Sequence, residues 1–80
     1  MKKLAIAIPT FNEHFFLEKN LETLLPQLEM FKDEVDLYVF DNNSSDNTFS
    51  ICNNLFKNKS NCNYKKNSET LEYLKINYNV

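Results

Sequence analysis

The chain has 80 residues and no glycine. That absence excludes both the phosphate-cradling P-loop and the Gly-x-Gly-x-x-Gly dinucleotide fingerprint, because each needs backbone conformations or a close approach that a side chain blocks. Arginine is absent as well, and lysines alone balance the acidic groups, for a formal net charge of -2 with the signs interspersed. A non-specific nucleic-acid binder would show a basic face, so that class is disfavoured. Lys57, Lys59, Lys65 and Lys66 form a modest basic stretch that reads as a solvated loop. Cysteine is scarce: Cys52 and Cys62 stand ten apart with a single histidine, which makes neither a zinc spacing nor a disulfide framework. Two reduced thiols acting as small apolar filler are expected.

Long hydrophobic runs are missing too. Met1-Lys2-Lys3 is positively charged, yet the run from Leu4 to Ile8 is too short for a signal peptide or a membrane span. A cytoplasmic chain is expected, reaching the cytoplasmic face of a membrane only through sequence outside this segment. The length admits one small domain at most, and a folded chain this short buries only about 60 to 65% of its unfolded surface.

What is present is two apolar runs that each stop at polar groups: Leu4-Ala5-Ile6-Ala7-Ile8 before Pro9-Thr10-Phe11-Asn12-Glu13, and Leu37-Tyr38-Val39-Phe40 before Asp41-Asn42-Asn43-Ser44-Ser45-Asp46. In a parallel sheet such runs are buried strands, and the residues past their carboxyl ends line the crevice where open α/β sheets bind ligands. The first strand is expected over Lys3 to Ile8, ended by Pro9, which has no N–H for a sheet ladder. Asn12 is expected to cap a helix from about Glu13 to Phe31, with Phe16, Leu17, Leu21, Leu24, Leu25 and Leu28 on the packed face. Pro26 should bend or split it. Val35 to Phe40 reads as a second strand, and Ser45 or Asp46 as the cap of a helix over Asn47 to Lys57 with Phe49, Cys52, Leu55 and Phe56 inward. A weak third strand spans Asn61 to Lys66, and Ser68 to Lys75 reads as a short helix.

Read in order, Ile8-Pro9-Thr10-Phe11-Asn12-Glu13, the leucine-rich stretch Leu21-Glu22-Thr23-Leu24-Leu25-Pro26-Gln27, and Asp41-Asn42-Asn43-Ser44-Ser45-Asp46-Asn47-Thr48 resemble the start of family 2 glycosyltransferases. The resemblance covers roughly the first 50 to 60 residues and both motifs stand at the family's order and separation. It implies the Rossmann-like βαβ(αβ) start of a GT-A fold, a parallel sheet with flanking helices, with residues 1–80 as a single partial domain. By resemblance a complete enzyme binds a UDP-, GDP- or dTDP-sugar with Mn²⁺ or Mg²⁺ and transfers the sugar, with inversion, to a hydroxyl of a glycan or lipid-linked saccharide in surface polysaccharide or glycoconjugate synthesis. The family's Asp-x-Asp and catalytic base are placed further along the chain than these residues. The segment alone is therefore expected to be inactive and to bind no metal.

The resemblance places Pro9, Thr10, Phe11, Glu13, Asp41 and Asn42 at the nucleotide. Phe11 would stack on the base, although a hydrophobic staple on the first helix is the plainer use of such a ring. Asp41 would accept hydrogen bonds from the base, since a carboxylate offers only acceptors, or else cap the Asn43-Ser44-Ser45 turn. Asn42 departs from the commoner second Asp, which leaves the base unassigned. Glu13 would hold the ribose hydroxyls, or serve as a first-turn acid favoured by the helix dipole. Asp46 and Thr48 read as local structure at a helix start, His14 as a surface residue without a partner, and Asp33, Glu34 and Asp36 as a solvated acidic cluster at the opposite sheet edge.

Two other classes remain open. One is a non-catalytic α/β interaction fragment that self-associates through an exposed sheet edge. The other is a receiver or flavodoxin-like signalling module, disfavoured because no acidic pair follows strand one and because such modules need about 110 to 130 residues.

Overall fold

The computed structural model describes residues 2–67 of the chain. Its elements run β1 (Leu4–Thr10), α1 (His14–Met30), β2 (Val35–Asp41), α2 (Thr48–Leu55) and β3 (Cys62–Lys66). The strands form one parallel sheet in the order β1-β2-β3. The proposed helix at Ser68 to Lys75 and the tail beyond it lie outside the described residues.

Both helices cover the same face of this sheet. Leu17, Leu21, Leu25 and Leu28 of α1 pack in one core with Leu37 and Val39 of β2, Cys52 of α2 and Cys62 of β3. The spacing of four, four and three along α1 keeps its leucines on one stripe, while the period of two along β2 sends Leu37 and Val39 inward and Tyr38 and Phe40 to the other face. Phe16 and Phe49, both expected in the core, are instead largely exposed. Phe16 lies one residue off the leucine stripe, about 100° around the helix, and Phe49 stands three residues before Cys52, where its ring leans outward to meet Tyr64 edge-on at 5.5 Å.

The expectation about Pro9 is corrected, and of the bend or split expected at Pro26 the split is absent. Pro9 lies inside β1, paired in register with Phe40, and the strand continues to Thr10. β1 is an edge strand in this sheet, so an absent N–H can face outward at no cost to the ladder. Pro26 does not split α1, which runs unbroken through it. Pro26 and Glu22 are both exposed, so the Glu22 carbonyl that loses its partner is open to hydration. The Gln27 amide donates to the Thr23 carbonyl in the same turn at 3.2 Å.

Without glycine, the chain enters the left-handed region on asparagine. Asn12, Asn43 and Asn58 have φ of 52°, 67° and 62°, and asparagine tolerates that region better than other side chains. Asn12 and Asn43 sit in the two loops that leave the carboxyl ends of β1 and β2, where the sequence placed the site. Asn61 joins β3 to the sheet by donating to the Val35 carbonyl at 3.0 Å while its own carbonyl accepts from Leu37 at 2.8 Å. β3 runs Cys62–Lys66, so the strand expected over Asn61 to Lys66 is present and Lys65 and Lys66 lie in it, while the solvated-loop reading of these two lysines is corrected.

Candidate functional site

The parallel register sets Thr10 directly beside Asp41, so the loops that follow β1 and β2 leave the same edge of the sheet side by side. Phe11, thirty positions from Asp41 in sequence, begins one of them. The Asn42 N–H donates to the Thr10 carbonyl at 2.9 Å, which carries the pairing into the loops.

Side chains then bind the loops together. The Asn12 N–H donates to Ser44 Oγ at 2.8 Å, and Asn12 Oδ1 accepts from the Ser45 N–H at 2.8 Å. Asn12 is thus a bridge between loops and not the cap of α1 that was expected; the helix begins after Glu13 with no side-chain cap. Further on, Asp46 spans two helix starts. Its Oδ2 accepts from the His14 N–H at 3.2 Å and lies 2.9 Å from His14 Nδ1, while its Oδ1 accepts from the Thr48 N–H at 3.0 Å and from the Thr48 hydroxyl. The structural role expected for Asp46 and Thr48 is therefore present, and it reaches further than one helix. Burial acts to raise the Asp46 carboxyl, but the hydrogen bonds from Thr48 and His14 outweigh it and hold the group below its ordinary value of 3.8. An ionised Asp46 has no proton to give, so His14 Nδ1 carries the hydrogen and donates. The expectation that His14 is an exposed residue without a partner is corrected: it is half-buried and paired.

Asp41 ends β2 with its carboxylate 1% exposed. Its Oδ1 accepts from the Ser44 N–H at 2.9 Å and from the Ser44 hydroxyl, and its Oδ2 accepts from the Tyr64 hydroxyl. A carboxylate has about four acceptor positions, and among the described residues these donors take three of them. A chain of hydrogen bonds thus runs from Tyr64 on β3 through Asp41 and Ser44 to Asn12 beyond β1. Burial pushes the Tyr64 phenol well above its ordinary value of 10.0, with the bond to Asp41 and the Asp41 charge adding to it, so Tyr64 is a neutral donor. Burial also pushes the Cys52 thiol up to about 12, with Asp41 contributing, and raises that of Cys62. Both thiols are free, buried and poor nucleophiles.

The other residues singled out in the sequence fall around this frame. Thr10 and Asn42 are buried, Phe11 is half-buried, and Pro9 and Glu13 are exposed. Pro9, Thr10 and Glu13 line one side of a cleft of about 190 Å³, closed by Ile8, Phe16, Leu17 and Asn20. A larger cleft of about 320 Å³ lies between α2 and β3, walled by Phe49, Cys52, Phe56, Cys62 and Tyr64. Asn53 and Lys57 complete its lining. Sequence reasoning missed His14, Tyr64 and Lys66, whose ammonium donates to the Ser44 carbonyl at 3.2 Å. A signal existed for Tyr64, since an inward tyrosine needs a partner for its hydroxyl; none existed for His14, whose partner is 32 positions away.

Among the described residues, no three His, Cys, Asp or Glu side chains converge on a point that could hold a metal ion. Asp41 is a lone carboxylate already occupied by three donors. The described residues of this edge do not fit a divalent cation. No helix among them is long and apolar enough to cross a membrane.

The architecture defines an α/β domain with its polar residues gathered at the carboxyl edge of a parallel sheet. The sequence profile of the family described as Glycosyl transferase family 2 matches residues 5–79, and the chain belongs to that family. Over 57 residues it is 44% identical to the GalNAc(5)-diNAcBac-PP-undecaprenol beta-1,3-glucosyltransferase of Campylobacter jejuni. The aligned stretch is 71% of this chain and 18% of that protein.

Proposed function

We propose that this chain forms the base-and-ribose half of the donor subsite of an inverting glycosyltransferase that uses a nucleotide-diphosphate sugar. The observation that supports this most is the register of Thr10 with Asp41, which starts the Phe11 loop beside the end of β2. Of the residues assigned here, Pro9, Thr10 and Glu13 line a cleft of about 190 Å³, and Phe11, Asp41 and Asn42 lie outside its lining. Phe11 offers its ring to the flat face of the base, Glu13 its carboxylate to the ribose hydroxyls, and Asp41 a carboxylate oxygen to a base N–H. Pro9, Thr10 and Asn42 shape the floor.

The metal, Mn²⁺ or Mg²⁺, and the carboxylate that deprotonates the acceptor hydroxyl are supplied by residues outside this segment. The acceptor class follows the Campylobacter relative, whose name specifies a saccharide on undecaprenyl diphosphate, so a lipid-linked saccharide met at the cytoplasmic face of a membrane is proposed here. Calorimetry of the full-length protein with UDP, GDP and dTDP tests the reading. One nucleotide should bind, and Phe11→Ala should weaken it by roughly 5- to 150-fold, the equivalent of about 1 to 3 kcal/mol of stacking. No binding by the folded protein, or equal binding after Phe11→Ala, overturns it.

A further inference from the structure

We infer that His14 is a positioning residue for the nucleotide site, holding the Phe11 loop at a fixed distance from the Asp41 loop through its two bonds to Asp46. This rests on the reading of Phe11 as the stacking residue.

Phe11 is set on one side by Thr10, which is fixed in the sheet opposite Asp41. On its other side only Asn12 and Glu13 separate it from His14. Asn12 has left-handed backbone and its contacts are with Ser44 and Ser45. Glu13 makes no side-chain cap. Asn12 is thus the near fastening to the Asp41 loop, and His14 is the far one, meeting Asp46 Oδ2 with both its backbone N–H and its imidazole Nδ1. Asp46 in turn is fixed by Thr48 at the start of α2. The Phe11 loop is therefore fastened at both ends to the segment that carries Asp41, and the far fastening is His14.

A helix start leaves its first backbone N–H groups without partners inside the helix, and Asp46 takes the His14 N–H among them without needing the imidazole. The imidazole bond adds a second restraint on the same oxygen. It is placed by the Phe15 ring, tilted against it with centroids 4.6 Å apart. Its effect is on where the loop sits, and so on where Phe11 sits. Phe15 and Phe16 beside it are exposed, so core packing does not do this work.

The test is a double-mutant cycle in the full-length protein, read as nucleotide affinity by calorimetry with the nucleotide that the wild type binds. His14→Ala should weaken binding about fivefold, the equivalent of one net hydrogen bond, and His14→Asn, whose amide nitrogen can take the place of Nδ1, should restore it. In a Phe11→Ala background His14→Ala should have no further effect, because its action passes through that ring. Equal weakening in both backgrounds would show a merely structural role and overturn the assignment, as would wild-type affinity in His14→Ala. Should Phe11→Ala alone leave affinity unchanged, the nucleotide reading of Phe11 fails and the assignment goes with it. Thermal denaturation identifies a variant that fails to fold, and His14→Gln, which moves the donor one bond further out, then takes the place of the alanine with the same expected loss.

Discussion

At the scale of single residues, the site is governed by what asparagine does in a chain without glycine. Asn12 combines a positive φ with two side-chain and main-chain bonds across to Ser44 and Ser45. Glycine would take the conformation without a Cβ clash, but it has no Oδ1 to accept the Ser45 N–H. Alanine has neither advantage. Asn12→Ala should therefore destabilise the domain by about 2 to 3 kcal/mol, from the left-handed backbone and the lost acceptor together, and Asn12→Gly by about 1 kcal/mol. Urea denaturation of the two variants measures the difference; equal losses would mean that backbone conformation contributes nothing at this position. Asp41 shows the turn-ordering use read from the sequence: Ser44 and Tyr64 donate to its carboxylate from within the fold.

At the scale of elements, one carboxylate couples two helices. Asp46 takes donors from the first residues of α1 and α2, and negative charge is stabilising at both helix starts. Its pKa is lowered in the folded state, so its contribution is complete above the ordinary value of 3.8 and is lost as the pH falls through the lower folded value. Asp46→Asn should cost about 1 to 2 kcal/mol at pH 7 and flatten the loss of stability on acidification below about pH 4. Denaturation midpoints taken from pH 7 down to pH 3 give the comparison, and parallel curves for wild type and variant would count against the coupling. The elements themselves were legible in the sequence because hydrophobic period is local: the Leu17, Leu21, Leu25 and Leu28 stripe and the alternation through Leu37 and Val39 each declare their element. Pro9 was misjudged, and Pro26 does not split its helix, because tolerance of proline depends on an edge strand and an exposed helix face, which are tertiary facts. The motif residues of the two loops were legible, whereas the bonds that join them were not. His14 to Asp46 and Asn12 to Ser44 each span 32 positions, and no local pattern encodes such a pair.

At the scale of the whole molecule, the described residues form two layers where parallel sheets ordinarily have three. Both helices lie on one face, and on the other Phe40 is exposed and stacked on Tyr38 with ring centroids 6.0 Å apart, beside exposed Ala5, Ala7 and Pro9 of the edge strand. Parallel sheets are normally covered on both sides, and an open edge is a template for pairing. The 80-residue chain by itself should therefore associate through this face, and Phe40→Lys, which places a charge at its centre, should shift it toward monomer. In a protein several times longer, as the Campylobacter glucosyltransferase is, further chain is available to cover the same face. There Phe40→Lys should act in the opposite sense, destabilising the fold by about 2 to 4 kcal/mol because it buries a charge and removes an aromatic contact. Light scattering of the short chain at rising concentration and thermal denaturation of the full-length protein, each with and without the substitution, read the two effects separately. A short chain that stays monomeric at about 100 μM, together with a full-length variant of unchanged stability, would mean that the face is open in both and that neither self-association nor a third layer uses it.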